Sequence, residues 1–477
     1  AASYAAAAEL IPPDTTDGTA AGLWERAAQA TLADVNFSAA LEYAEQAGRR
    51  YRQQGQDRAA ARAQAIAGHA LRIWGRYAEA REQLTAAVDV LRADPDTDTV
   101  RALRQLGALE VSVGSPDADR LTAEALTLGQ ALDLGSGQLG DLFLARGMYH
   151  ALAGRRPQAI SYMRESARLA EQAGDHLILG RALLNLSDAL TPSDPAAGAE
   201  AARTAAGHLR RTGARRFLAA AVINVAEALL QLGDWDAAEA ELTRAEDADA
   251  LADIEEVTCE RSWVALLRGD DETAEAVVAD LQHLRTSEDP QDKVMLGIAE
   301  ASTAAARRRP ADALRHARAI LAHAGTLGIS SMYLRWAWPL AARCAHELAD
   351  TAAIRDLLAL LDSYRPGYLA PMLRAERDLA RARLAVGDGD QAAAASFAAA
   401  ITALREQSTP YHLAHGLLDH AQYLLRQGDA DAAVAAIEEA RDIAVRLRCQ
   451  PLLDRATTLA AQETPALTSE GSPAVGS

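Results

Sequence analysis

Lysine is almost missing from this chain: among 477 residues only Lys293 is one, so nearly all the positive charge is arginine. Two readings of that bias stay open: a codon preference for arginine, or selection for guanidinium forks that grip carboxylate and phosphate. Aromatic residues make up only 4% of the chain. The three cysteines, Cys259, Cys344 and Cys449, lie far apart and form no C-x-x-C. They support neither a disulfide framework nor a zinc site, and they fit a reducing, cytoplasmic setting. No charged-then-apolar leader opens the sequence. No run approaches the roughly 18 uninterrupted apolar residues of a membrane span, so no membrane partner is expected. The net charge of −18 argues against a general nucleic-acid surface, which needs clustered cations.

The motifs of catalysis are missing too. A P-loop needs a lysine after a glycine-rich turn, and Lys293 sits in "EDPQDKVML" with no glycine before it. "HELAD" (346–350) has Asp350 where a zinc hydrolase has its second histidine. It is read as the end of a helix. "DPDTD" (94–98) continues with Thr99 in place of glycine and has Gln105 in place of the bidentate glutamate of a calcium loop. It reads as an acidic loop in which Asp98 caps the next helix. No G-x-S-x-G and no cysteine–histidine pairing is visible. His412, His415 and Asp419 share a helical face, with His420 nearby. One helix alone would supply those ligands, so surface histidines are expected rather than a metal site. No catalytic residue, metal or cofactor is assigned, and the chain is not expected to be an enzyme.

What the chain does have is alanine and a period. Hydrophobic residues reach 49% and are dominated by alanine, the strongest helix former, whose small side chain lets helices approach closely. "LLQLGDWDAAEAELTRA" (229–245) shows an apolar helix ending at a glycine, then a turn, an aromatic, and an alanine opening a second helix. Variants recur as "RIWGRYAEAREQLTAAV", "ALAGRRPQAISYMRESA", "LLRGDDETAEAVVA", "LAVGDGDQAAAASFAAA" and "LLRQGDADAAVAAIEEA". The small residue after each turn falls at 40, 80, 119, 159, 198, 238, 274, 313, 353, 392 and 433, in steps of 36 to 41. Asp119 and Gly198 are the loosest fits.

Each unit reads as two helices. In the sixth, Phe217, Val222, Val225, Leu229 and Leu230 keep helical spacing on the first helix, and Ala238, Leu242 and Ala245 on the second. Gly233 suits a left-handed helix end, Asp234 a cap, and Trp235 a ring folded back over the turn. Neighbouring pairs must stack to bury both faces, which predicts an α-solenoid.

The pattern resembles the tetratricopeptide repeat. Trp24, Ala28, "VNF" (35–37), Ala40 and Ala47 match its first complete unit. Gly68, "GRY" (75–77), Ala80 and Ala87 match the second, Gly147, Gly154 and Ala159 the fourth, and "GDW" (233–235), Ala238 and Ala245 the sixth. The usual repeat is about 34 residues, and this one is longer. Its length is similar to that of the superhelix in MalT-like activators and in signalling ATPases carrying a class III cyclase domain or a LuxR-type helix-turn-helix. "LNLSDALTPSDPAAGAEAARTAAGHLRRTGARR" and "AVRLRCQPLLDRA" add to that likeness.

The expected fold is all-α, a right-handed solenoid of tetratricopeptide-like hairpins. Projecting the period back from Ala40 puts Ala1, Ala8 and Pro13 in the slots of a second helix. Residues 1–13 are therefore expected to be half a repeat, and the chain a C-terminal piece of a longer protein. About eleven repeats follow over 14–448 in one superhelix, then a capping helix over 449–462 and a disordered tail over 463–477. Nothing here is long enough for LuxR-type DNA-binding helices, which favours the ATPase or cyclase parent.

The resemblance implies that the first helix of each pair lines a concave groove. That register places Arg62, His69 and Arg72 there, then Ile223, Glu227 and Gln231, Glu256 and Trp263, Arg335 and Trp338, and Arg374, Arg377 and Arg381. The last three form a basic stripe. It either meets an acidic peptide or phosphate, or pairs with acids on adjacent helices. Tyr333, Trp336 and Trp338 in "SMYLRWAWPLAARCAHEL" are either binding anchors or core, and Pro339 can kink or restart that helix. The expected function is a non-catalytic scaffold. It would bind a partner protein, a peptide or a small effector in the groove, as the sensor of a larger signalling ATPase or cyclase. A freestanding adaptor or the effector-binding region of a LuxR/MalT-type regulator is the alternative, and a homo-oligomer is allowed.

Overall fold

The computed structural model describes residues 2–10, 19–33, 36–248, 251, 255–287, 289–387 and 392–463. Ala1, Pro13, Val35 and residues 464–477 carry parts of the half-repeat, turn and tail readings and lie outside the described residues. Among the described residues all regular structure is helical, as the alanine content and the period require, and there is no strand. The helices follow one another as eleven antiparallel pairs, from Thr19–Ala33 with Phe37–Gln53 to Pro410–Gln427 with Ala430–Leu447. Ala2–Glu9 precedes them and Gln450–Glu463 follows. No helix among the described residues is long and apolar enough to cross a membrane.

The chain packs as two compact units. The N-terminal unit is Ala1–Ala153 with Pro157–Ala182, and the C-terminal unit is Gly154–Arg156 with Leu183–Ser477. The N-terminal unit has two main apolar clusters, one around Trp24, Ala27 and Tyr51 and one around Leu84, Leu103 and Leu109. The largest cluster of the C-terminal unit runs unbroken from Leu184 to Leu459.

The repeat register is a packing register. Ala40, Ala80, Ala159, Ala238 and Ala313 are fully buried where the two helices of a pair cross. A larger side chain there would force the helices apart. Gly68 is held closer still, since a Cβ at that position would lie 2.6 Å from Leu84 Cγ. The two loose register points resolve in the same terms. Ala118 is the buried residue beside Asp119, and Gly198 lies against Thr191, whose Oγ1 would stand 2.2 Å from an added Cβ. In the tenth unit the buried alanine is Ala393, one place after the expected Ala392.

Local expectations divide. Gly233 closes Arg215–Leu232 with φ 80°, a left-handed conformation that glycine adopts without a Cβ clash. Trp235 folds back over that turn, fully buried, and its indole N–H donates to the Leu230 carbonyl at 3.3 Å. By contrast, Asp96 rather than Asp98 caps Thr97–Ser112: Asp96 accepts from the Asp98 and Thr99 amides and Thr99 returns the bond. Phe217 is 41% exposed, because the buried stripe of its helix runs through Leu218, Val222, Val225 and Leu229. Pro339 neither ends nor restarts its helix, which runs through it from Met332 to Glu347. Buried Trp336 and Trp338 hold the segment in place on both sides.

Candidate functional site

The candidate groove residues take two different forms in the two units. In the N-terminal unit, Arg62 on helix Asp57–Ile73 forks onto Glu25 of the preceding pair, with Nε 2.5 Å from Oε1 and Nη2 2.8 Å from Oε2. The Tyr51 hydroxyl donates to the same carboxylate at 2.9 Å. Burial and then the Glu25 charge push that hydroxyl up to about 12. Arg62 also reaches Asp98 of the next pair at 3.5 Å. It therefore ties three consecutive hairpins together.

About two and three turns along the same helix, His69 and Arg72 are half-buried. Arg72 Nη2 donates to Gln105 Oε1 at 3.3 Å, and Arg104 Nη1 donates to that same oxygen at 3.3 Å. Arg104 Nη2 and Arg181 Nη1 in turn share Asp141 Oδ1, at 2.6 and 3.2 Å. Three guanidiniums from helices Asp57–Ile73, Thr97–Ser112 and His176–Leu190 thus converge through two shared acceptors, of which one is neutral. Positive charge dominates this spot. Desolvation and then the Arg104 and Arg181 charges bring Arg72 down to about 9. Burial, Arg72 and Arg104 hold His69 well below its ordinary range, so it is neutral at pH 7. Asp141 is pulled the other way: burial would raise its carboxyl, and Arg104 and Arg181 hold it low.

In the C-terminal unit the corresponding face is filled by its own side chains. Glu227 of Arg215–Leu232 pairs with Arg335 of Met332–Glu347, both 1% exposed, across a separation of 108 residues. Gln231 Nε2 donates to Glu227 at 3.1 Å, and Arg335 Nη1 to the Ser330 carbonyl at 2.8 Å. Desolvation still outweighs the Arg335 charge and raises the Glu227 carboxyl, with Asp188 adding to the rise. Asp188 is reached by solvent yet ringed by protein. That desolvation raises it too, against the charges of Arg335 and Arg156.

Aromatic rings continue the closure. Trp263 meets Trp336 edge-on at 4.8 Å, and Trp336 lies 4.7 Å from His412 and 6.0 Å from Tyr411. Tyr411 lies 5.7 Å from Trp235. At one edge Cys449 Sγ donates to the Leu267 carbonyl at 3.1 Å, and Arg448 pairs with Asp236 at 2.8 Å. Trp338 does not face this centre. It is fully buried in its own hairpin, where its N–H donates to the Leu357 carbonyl at 3.0 Å. The aromatic stretch is therefore core.

Two arginines of the basic stripe pair with a neighbouring acid, and the third bonds to neutral groups. Arg377 and Arg381 reach Asp362 at 3.4 and 2.8 Å, and Arg374 donates to the Leu369 carbonyl at 3.0 Å and to Gln407 at 3.3 Å. Glu256 receives Arg216 at 3.4 Å. The histidine cluster is only partly at the surface, since His412 and Asp419 are buried and His415 and His420 are half-buried. His412 is 1% exposed and bonded to Thr409 Oγ1 at 2.7 Å, while Asp419 is taken by Arg383 and Arg455. Among the described residues no group of three or more His, Cys, Asp or Glu is placed to hold a metal ion. All three cysteines are buried thiols.

The sequence reading missed Arg104, Asp141, Arg181 and Glu260. Glu260 is fully buried beside Trp263, Tyr333 and Thr303, and neither carboxyl oxygen has a hydrogen-bond partner. Burial and then Glu227 raise it well above the carboxylate range. A usable signal was present: Asp141 and Arg181 are 40 residues apart, and Asp188 and Glu227 are 39 apart. One-repeat spacing marks equivalent positions on successive first helices.

This is an all-α protein built of tetratricopeptide-like helical hairpins. No family model matches the chain, and no curated protein matches it. Among solved structures it is similar to a Rap protein complexed with competence and sporulation factor, at 11% identity and a TM-score of 0.44, over 80% of this chain and 97% of that one. Yeast Tom70 is 14% identical with a TM-score of 0.36, over 94% of this chain and 97% of that one. A human IFIT1 dimer with m7Gppp-AAAA is 11% identical with a TM-score of 0.44, over 86% and 90%. The fold assignment rests on the chain's own helices and their register.

Proposed function

We propose that the chain is a non-catalytic helical-repeat scaffold that binds a partner protein, peptide or small effector on the first-helix face of its N-terminal unit. The observation that carries this reading is the contrast between the two units. The C-terminal unit fills its first-helix face with Glu227, Arg335, Trp263 and Trp336, all buried. The N-terminal unit leaves His69, Arg72, Gln105, Asp141 and Arg181 half-exposed on that face. Such a face offers directional polar groups held by rigid helices, the usual make-up of a specific site.

A random twelve-residue peptide library displayed against the full chain tests this, with bound peptides mapped by photo-crosslinking. Crosslinks on Asp57–Ile73, Thr97–Ser112 and Ser136–Leu152 are expected. No enrichment, or crosslinks only on the second helices, refutes it.

The larger setting, as the regulatory region of a signalling ATPase or cyclase, is supported by the long repeat period and the two stretches quoted above. The coding sequence upstream of Ala1 tests it. An in-frame nucleotide-binding domain supports it, and a start codon directly before Ala1 favours a freestanding adaptor instead.

A further inference from the structure

The Arg72–Arg104–Arg181 cluster is locally cationic on a chain of net charge −18. Arg72 has a neutral hydrogen-bond partner, Gln105. Arg104 is nine-tenths buried, and its Nε and that of Arg72 are shielded from solvent with no acceptor. A buried donor without an acceptor costs stability, and guanidiniums crowded around one carboxylate repel one another. A bound anion would supply the missing acceptors and offset the excess positive charge.

Because Arg72 and Arg104 touch one oxygen, and Arg104 and Arg181 touch another, the three heads lie within one small region on three helices. A carboxylate offers two coplanar oxygens, enough for one fork. A phosphoryl group offers three terminal oxygens and close to two negative charges at pH 7, enough to bridge forks from separate helices.

We infer that the N-terminal unit binds a phosphoryl dianion between Arg72, Arg104 and Arg181. This rests on the reading of that face as the binding face and names the chemistry it selects. The Asp141 carboxylate sets the limit on charge at one side, so the site's net positive charge comes from the three arginines.

The test is isothermal titration of the full chain at low salt with inorganic phosphate, O-phosphoserine and adenosine monophosphate, with succinate as the carboxylate control. Saturable binding of at least one phosphoryl compound is expected, with the three arms separating free phosphate from a phosphorylated side chain and a nucleotide. Arg72→Gln should weaken it at least about tenfold. That variant removes a charge without orphaning a carboxylate, so its thermal midpoint should stay or rise. Arg181→Gln, with Arg104 left on Asp141, should act in the same direction. Equal binding of succinate, or unchanged binding in both variants, overturns the inference. So does the absence of binding by all three phosphoryl compounds. In that case crosslinks on the same helices would leave the peptide-binding reading standing, and only the anion chemistry would fall.

Discussion

Removing Glu227 tests whether the C-terminal unit is closed across its own inner face. The pair it forms with Arg335 joins helices 108 residues apart, with both side chains 1% exposed. In Glu227→Ala, Arg335 keeps the Ser330 carbonyl as its hydrogen-bond partner and the Asp188 charge nearby, and its own charge stays buried without its ion-pair partner. Breaking one partner of a buried pair costs about 3–5 kcal/mol, because the remaining ion is uncompensated. For a cooperative unit of this size, each kcal/mol moves the midpoint by roughly 2–4 °C. The expected fall is therefore about 6–20 °C. Replacing both partners, as Glu227→Leu with Arg335→Met, removes the orphan and should recover most of the loss. Tryptophan emission is the suitable probe, since Trp235, Trp263, Trp336 and Trp338 belong to this unit and are buried. Far-UV circular dichroism reports the whole chain alongside it. A Glu227→Ala loss below about 1 kcal/mol, or a double variant as weak as the sum of the two singles, would refute the closure.

Glu260 carries a carboxyl raised well above its unfolded value near 4.5. Its stabilising contribution is complete below that value and is lost as pH rises through the folded one. Glu260→Gln should thus gain on the parent as pH goes from 5 to 9 in thermal melts; a constant difference would show the group does not titrate differently on folding. Asp419 is the opposite case, since burial would raise it but Arg383 and Arg455 hold it far below 3.8. Asp419→Asn should cost about 3–5 kcal/mol at pH 7 in urea titrations, and the gap should close as pH falls below 3.8. A gap independent of pH would argue against that pairing. Gly68→Ala should cost about 1–3 kcal/mol, because the new Cβ meets Leu84 Cγ at 2.6 Å and the Ala80 carbonyl at 3.3 Å. An unchanged urea midpoint would mean the helices can part there freely.

The fold was legible because one physical demand repeats at every hairpin. A small residue must sit where the helices cross, and the alanines from Ala40 to Ala433 record it. Where the chain met that demand with a neighbour, as at Ala118 and Ala393, the pattern slipped by one place and the packing did not. Helix faces were legible from periodicity, but caps were not. Asp96 and Asp98 are both acids before an apolar run, and only backbone geometry distinguishes them. The site was half legible. Position on a first helix pointed to His69 and Arg72, and both are half-buried there. It did not reveal Arg104 and Arg181 beside them, because those contacts join separate hairpins.

What fills the first-helix face differs between the two units. First helices carry Arg72 and Asp141 in one unit and Trp263, Trp336 and Tyr411 in the other. A tryptophan at such a position has the reach and the apolar area to meet a ring three or four helices away, and burying it gains more than leaving it in water. Arginines at such positions repel one another and keep the face open unless acids are supplied. In a chain with 4% aromatics, where those few rings fall on the first helices is therefore a readable sign of closure. Arginine crowding around one carboxylate is the sign of a face kept for something else. The half-exposed arginines are thus the side chains that carry the proposed binding face, and the conspicuous tryptophans, which invite the opposite reading, are buried in the C-terminal unit.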